Sequence, residues 1–386
     1  MADNKRRVLI LSEIMSPYRI PVFNALAQHQ AVDLHVVFLA ETDAGLRQWR
    51  IYKDEICFSY DVLPSWRFRA GRHKLLLNWG LRSCLKRFAP NTVICGGYSY
   101  FASWAALSWA RRHHVDFVLW SESNSNDARR EFAWVESMKS NFLARCHRFV
   151  VPGKASLSYL QTMGLAEKNI TVAPNAVDNN WFAAQSDSVR VHSSEFREKL
   201  GVPSKFILFV GRLVREKGIF DLLDAYGKLE DSIRASAGLV FAGDGECRLE
   251  LEQLAKQVHP GRICFPGFVH REDLAGLYAL AEALVLPTHS DTWGLVVNEA
   301  MACSLPIVVT SVAGCAADLV EDEWNGYVVL PRNPRALKVA IERLLLNPEL
   351  RPQMSVRSCE RIRNYSPEAC AAGLAAVALS AGGQSQ

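Results

Sequence analysis

Short apolar runs recur along the chain, each followed by a stretch in which apolar positions fall three or four apart. The first pattern predicts strands buried on both faces and the second predicts amphipathic helices. Arg7 to Leu11 reads as a strand, Ile20 to Ala27 as a helix and Val32 to Leu39 as a second strand. Thr92 to Cys95, closed by Gly96-Gly97, reads as a strand and turn. The Trp- and Ala-rich Phe101 to Ala110 is a helix, and Asp116 to Trp120 a strand. Between 130 and 146, Trp134, Met138, Phe142 and Cys146 keep helical spacing. Arg148 to Val151 is a strand stopped by Pro152-Gly153. Strands alternating with helices predict a parallel sheet covered on both faces.

The alternation breaks between 174 and 204. Pro174-Asn175 ends one run, and Gln185 to Ser194 is polar and irregular, so a linker is expected over 179–204. A second alternation follows. Strands are predicted at Phe206–Val210, Gly238–Ala242, Arg262–Phe265, Ala283–Leu286 and Pro306–Thr310. Helices are predicted at Ile219–Leu229, Leu249–Val258, Leu274–Ala281 and Val296–Ala302. The expected fold class is α/β, with two doubly wound Rossmann-like domains whose parallel sheets face a central cleft. An N-terminal domain would span 1–178 and a C-terminal domain 205–365. A terminal helix and tail, 366–386, would pack back on the N-terminal domain. Such folds bind nucleotide-linked substrates at the carboxyl ends of their strands.

Composition changes this picture little, and charge changes it more. Of 386 residues, 49% are hydrophobic and 22% charged, which excludes disordered, collagenous and coiled-coil classes. The net charge of +4 hides a split of +8 over residues 1–178 and −4 over the remainder. The N-terminal half is expected to meet something anionic, and the whole does not read as a nucleic-acid binder. The 10 cysteines include no CxxC pair, as expected of reduced thiols in a cytoplasm. The apolar run Val8 to Leu11 is too short for a signal peptide, and no run is long enough to span a membrane.

Three strand-end segments carry candidate chemistry. Gly211 to Gly218 (GRLVREKG) follows a strand and precedes a helix. Gly211 permits the turn, and Arg212 and Lys217 are placed to hold a diphosphate, Arg as a planar fork and Lys as a point charge. Gly243-Asp244-Gly245 marks the next strand-end turn. His289 to Ala302 enters a helix whose first N–H groups, near Gly294 and Leu295, suit a phosphate. Glu299 lies one turn in, among apolar neighbours. A carboxylate there needs a partner, and a sugar diol supplies one. Asp291, just before the helix, is within reach of a second sugar. No GxGxxG follows any predicted strand, which disfavours a dinucleotide oxidoreductase.

These segments resemble the C-terminal half of the family 4 retaining glycosyltransferases of GT-B fold. The resemblance rests on GRLVREKG (211–218), FAGDGECRLELEQLA (241–255), FPGFVHREDLAGLYALAEALVLPTHSDTWGLVVNEAMA (265–302) and WNGYVV (324–329). APNAVD (173–178) is similar to the family's PNGVD segment. The resemblance implies a nucleotide-sugar donor with a UDP or GDP base, and a glycan or lipid-linked acceptor. Arg212 and Lys217 would bind the diphosphate and Glu299 the ribose. Asp291 would occupy the first acidic position of the E-x7-E pattern, against hydroxyls of the donor sugar. Gly211, Gly243, Gly294 and Leu295 would complete the donor site. No metal or cofactor is implied, and a retaining reaction needs no dedicated nucleophile. Three departures stand out: Asp291 for the usual Glu, Ser304 for the usual Gly, and Ser16-Pro17-Tyr18-Arg19 in place of a Gly-rich first loop. Glu122 falls roughly where the family places a His after a central strand. The catalytic set is then Arg212, Lys217, Asp291 and Glu122, with Arg19, Arg129 and Arg130 on the acceptor side. A sugar-nucleotide epimerase or phosphorylase of the same fold, and a non-catalytic carbohydrate-binding relative, are the alternatives.

Between Arg67 and Arg87 lie seven Lys or Arg and no acid, interleaved with Trp66, Phe68, Leu75, Leu76, Trp79, Leu81 and Leu85. This amphipathic segment, 66–88, is expected either to touch anionic lipid at the inner face of the cytoplasmic membrane or to meet an anionic acceptor. Glu321-Asp322-Glu323 reads as a solvated acidic turn. His113-His114 has no matching metal ligands.

Overall fold

The computed structural model describes residues 5–42, 49–70, 73–126, 133–259 and 261–380. In chain order its elements are β1 (Arg6–Ile14), α1 (Arg19–Ala27), β2 (Val32–Ala40), β3 (Ser59–Val62), β4 (Ser65–Ala70), β5 (His73–Asn78), α2 (Leu81–Phe88), β6 (Thr92–Gly96), α3 (Phe101–Arg112), β7 (Asp116–Trp120), α4 (Ala133–Leu143), β8 (Arg148–Val151), α5 (Lys154–Thr162) and β9 (Ile170–Val172). There follow α6 (Asn179–Val191), α7 (Ser193–Leu200), β10 (Phe206–Val210), α8 (Ile219–Gly227), α9 (Asp231–Ser236), β11 (Gly238–Ala242), α10 (Arg248–Val258), β12 (Ile263–Gly267), α11 (Arg271–Leu280), β13 (Ala283–Leu286), α12 (Leu295–Ala302), β14 (Ile307–Thr310), α13 (Ala316–Leu319), β15 (Gly326–Val329), α14 (Pro334–Leu346), α15 (Leu350–Ile362) and α16 (Pro367–Ser380). The chain divides into two compact units. One takes Met1–Ser123, Arg129–Ala176 and Pro367–Gln386, and the other Asn124–Ala128 and Val177–Ser366.

The first unit is built on a parallel sheet of order β3-β2-β1-β6-β7-β8-β9. Successive side chains of a strand point to opposite faces, and both faces here are apolar. Val8, Ile10, Val36, Phe38, Ile94 and Val118 pack with α1 and α16. Leu9, Leu11, Val37, Leu39, Val93 and Leu119 pack on the other side with α2, α3 and the end of α4. The terminal helix α16 therefore lies within this core, with Cys370, Leu374 and Ala378 fully buried. The basic segment 66–88 is not one helix. It forms an antiparallel hairpin, β4–β5, followed by α2. The hairpin stands as its own two-stranded sheet.

The second unit carries a parallel sheet of order β12-β11-β10-β13-β14-β15. Its strands β10, β11, β13 and β14 are buried along their whole length. The stretch that reads as a linker, 179–204, folds instead into α6 and α7 as part of this unit. Asp178 caps α6 by accepting the Trp181 N–H at 2.9 Å. Arg190 donates to the Cys303 carbonyl at 2.6 Å, and Asn179 to that of Ile362 at 3.0 Å. Only Phe182 and Ser186 of α6 are buried. So narrow an apolar stripe explains why the sequence looks irregular there.

The turn from α12 to β14 shows what one departure from the resembled family costs. Ser304 sits at φ +62°, a left-handed conformation that costs an L-residue about 1 kcal/mol and a glycine nothing. Its hydroxyl lies 3.6 Å from the Cys359 sulfur. Ser304→Gly is expected to stabilise the protein by about 0.5–1 kcal/mol, read as a raised urea midpoint at unchanged slope. A lowered midpoint would mean that the hydroxyl contact outweighs the backbone term.

Candidate functional site

In the second sheet the chain runs outward from β10 to β11 and β12, then returns to β13 on the opposite side of β10. The loops leaving β10 and β13 thus diverge at the topological switch point, where α/β sheets bind ligands. Those loops are the two main segments singled out from sequence, 211–218 and 287–294. The turn after β11, Gly243 to Gly245, lies beside the first of them.

Backbone contact joins the three loops. Gly243, at φ +149°, approaches so closely that a Cβ on it would stand 1.9 Å from the Gly211 carbonyl oxygen. The Gly211 N–H bonds the Ala242 carbonyl at 3.0 Å, and the Leu213 N–H that of Asp244 at 2.9 Å. On the other flank, a Cβ on Gly218, at φ +66°, would fall 1.9 Å from the Pro287 carbonyl oxygen. The Glu216 carbonyl accepts from the His289 N–H at 2.8 Å and the Thr288 hydroxyl at 3.1 Å. No side chain intervenes between these backbones.

The charged groups sort into used and unused. Arg215 is taken up by Glu250, with both contacts at 2.7 Å. Arg212 is exposed, and its guanidinium has no protein partner among the described residues. Lys217 ends a single 3-10 turn and reaches Asp291, Nζ to Oδ2 at 2.5 Å, with both side chains mostly buried. The other Asp291 oxygen accepts the Trp293 N–H at 3.3 Å. The Asp291 carbonyl takes the Gly314 N–H at 3.1 Å and the Asn124 amide at 3.2 Å. His289 Nε2 lies 2.7 Å from Asp221 Oδ2, tying the β13 loop to α8.

Gly294 forms the N-cap of α12 with no capping side chain. The helix therefore presents its first N–H groups, beginning with Leu295, and the positive end of its dipole. The Trp293 indole N–H bonds Asn298 at 2.8 Å and is buried, which holds the start of the helix. Glu299 accepts the Tyr278 hydroxyl at 2.7 Å. Burial pushes the Glu299 carboxyl up to about 7, against the pull of that hydrogen bond. Burial and the neighbouring Glu299 push the Tyr278 phenol well above its ordinary value.

In the first unit, Arg19 and Glu122 form an ion pair, and the guanidinium lies over the Trp120 ring at 4.1 Å. Arg19, expected on the acceptor side with Arg129 and Arg130, thus holds Glu122, expected in the catalytic set. Arg129 and Arg130 lie outside the described residues. The acidic turn is exposed, as expected, and its carboxylates make surface contacts: Glu321 pairs with Arg361 at 2.6 Å, Glu323 pairs with Arg343, and Asp322 accepts the Val328 N–H at 2.9 Å. No group of three candidate metal ligands occurs among the described residues.

Sequence reasoning missed Asn124, Asp221 and Tyr278. Asn124 and Asp221 stand 167 and 68 residues from their partners, and only the fold joins them. Tyr278 carried a signal, since a carboxylate in an apolar helix demands a donor, but the sequence offered several.

Two family models match the chain: "Glycosyltransferase Family 4" over residues 23–181 and "Glycosyl transferases group 1" over residues 192–361. An uncharacterized glycosyltransferase of Methanocaldococcus jannaschii is 40% identical over 153 residues, covering 39% of this chain and 38% of that protein. The alpha-D-kanosaminyltransferase of Streptomyces kanamyceticus is 35% identical over 165 residues, covering 42% of each. The matched region thus spans well under half the length of these relatives. HepE of Anabaena, solved with UDP and glucose, superposes with a TM-score of 0.77 over 97% of this chain and 100% of that one, at 17% identity, a likeness of fold. Two parallel Rossmann-like sheets, loops of this composition at the second sheet's switch point, and the two family patterns lead to one conclusion: the chain belongs to the family 4 glycosyltransferases of GT-B fold.

Proposed function

We propose that the chain transfers a hexosyl-type sugar from a UDP- or GDP-linked donor to a hydroxyl of a glycan or lipid-linked acceptor, with retention of configuration and without a metal. The observation that carries this reading is the Lys217–Asp291 pair beside the uncapped start of α12, at the switch point. An unpartnered Arg212 and a cation held by a carboxylate suit a dianionic group that competes for the cation. The arriving diphosphate takes Lys217 and Arg212, and its outer phosphate meets the N–H groups of Leu295 and its neighbour. Asp291, released from Lys217, accepts hydroxyls of the donor sugar. Glu299 accepts the ribose diol.

As the sugar–phosphate bond lengthens, charge grows on the leaving oxygen. Fixed positive groups stabilise that charge more than the ground state. The leaving phosphate oxygen takes the proton of the acceptor hydroxyl, whose oxygen bonds the anomeric carbon from the same face. Glu122, held by Arg19, orients the acceptor or the donor sugar, and Arg129 and Arg130 meet an anionic acceptor. In this reading the chain works in the cytoplasm, at the inner face of the membrane when the acceptor is lipid-linked.

A screen of UDP-, GDP-, ADP- and TDP-sugars read by mass spectrometry is expected to show consumption of one donor class. The matching nucleoside diphosphate is expected to raise the melting temperature. Lys217→Ala should weaken its binding by about 10- to 100-fold, the worth of a charge-assisted contact. No shift with any of the four nucleotides sinks the proposal.

The Glu299 carboxyl supplies a second check. Its folded value, about 7, is raised above the ordinary one, so the folded state holds this proton more tightly than the unfolded. That stability is present at low pH and is lost as pH rises towards 7. Without nucleotide, the melting temperature is expected to fall more steeply between pH 5 and 7.5 in the wild type than in Glu299→Gln. A ribose diol donates to the carboxylate and favours its ionised form. Nucleotide binding near pH 6.5 is therefore expected to release protons, seen by calorimetry as an enthalpy that varies with buffer. Equal proton release by Glu299→Gln would remove Glu299 from the donor site.

A further inference from the structure

The hairpin β4–β5 has two unlike faces. In its register Arg67 stands opposite Leu76 and Ser65 opposite Asn78, while Trp66 stands opposite Leu77. The first face is the anchored one. Leu76 is buried in the core of the first unit, the Asn78 amide donates to the Leu39 carbonyl at 2.6 Å, and Arg67 donates to that of Thr42. The second face is bare among the described residues. Trp66 is 66% exposed, Phe68 44% and Leu77 40%, and Trp79 just beyond is 55% exposed. The Trp66 and Phe68 rings meet edge to face at 5.3 Å. Large apolar side chains contiguous on one face mark an interaction site rather than ordinary surface.

The flanking charge says what covers that face. Helix α2 begins two residues after the hairpin, buries Leu81, Cys84 and Leu85, and exposes Arg82 and Lys86 one turn apart. Neither cation makes an ion pair among the described residues, whereas Arg87 is spent on Asp61. No acid lies anywhere from Arg67 to Arg87. A second copy of the chain seated here would bring two such cationic stretches together without a counter-charge. Indole and phenyl rings settle at a bilayer's headgroup level, and neighbouring Lys and Arg are drawn to anionic lipid. Rings and cations together supply the two signals that stable peripheral binding requires.

We propose that the exposed face of the β4–β5 hairpin, with Arg82 and Lys86 of α2, docks the protein on an anionic lipid bilayer. The test is co-sedimentation of the full chain with vesicles of phosphatidylcholine alone, or of phosphatidylcholine with about 30% phosphatidylglycerol, at low and high salt. Binding is expected to anionic vesicles and to weaken with salt. Trp66→Ser with Phe68→Ser should weaken it by about tenfold or more. Arg82→Gln with Lys86→Gln should weaken it by about 25-fold and flatten the salt dependence, at roughly fivefold per cation. All four positions are exposed, so both variants should keep the wild-type melting temperature, which verifies folding. Several outcomes would overturn the proposal: no vesicle binding, equal binding to neutral vesicles, or unchanged binding by the Trp66/Phe68 variant. A dimer in sedimentation velocity that this variant dissolves would assign the face to a second copy instead. Vesicle binding is read without donor or acceptor, so its failure leaves the glycosyl-transfer reading untouched.

Discussion

Three neighbouring parallel strands, β11, β10 and β13, end in loops that approach to backbone contact, and the arrangement of charges at the switch point depends on that approach. At Gly243 and Gly218 even a methyl group would collide with the carbonyl opposite. The closeness fixes the Glu216 carbonyl against Thr288 and His289, which brings Lys217 to Asp291. Without it the two charges would sit on separate mobile turns. With it they form a mostly buried pair whose mutual neutralisation offsets the cost of removing each from water.

That pairing shapes the electrostatics of the site. A lone buried ammonium would be costly to hold. A paired one can exchange one anionic partner for another at little net desolvation cost. Helix α12 adds a second positive element that needs no counterion, because the charge comes from aligned peptide dipoles. The same helix carries Glu299 one turn further along, so one element presents a donor surface and an acceptor a few ångströms apart. Trp293, bonded to Asn298, fixes the orientation of both.

Much of this was legible from sequence where burial is complete. β10 and β11 are apolar at every position because both faces are covered, and their bounds match the expectation from the pattern. Glu299 stood out because a carboxylate among apolar helix neighbours has a high desolvation cost. Legibility failed where burial is partial. In α6 two buried residues are outvoted by polar ones, so a helix reads as a linker. The hairpin β4–β5 shows large apolar residues and cations on both strands, because one face is anchored and the other bare, and the pattern resembles an amphipathic helix. Asn124 and Asp221 were illegible for another reason. Their roles come from contacts between distant segments, and no local rule encodes those.

The placement of α16 bears on how the chain acquires its structure. The core of the first unit includes Cys370, Leu374 and Ala378, and Thr92 donates to the Ala378 carbonyl across a sequence separation of 286. During vectorial synthesis, α1 and the sheet face it packs on lack the cover of α16 until residues 367–380 emerge. The second unit, nearly contiguous in sequence, has all of its parts earlier. The half made first is thus the half completed last, and the part of its core that α16 closes is the surface that chaperones and aggregation compete for in the interval.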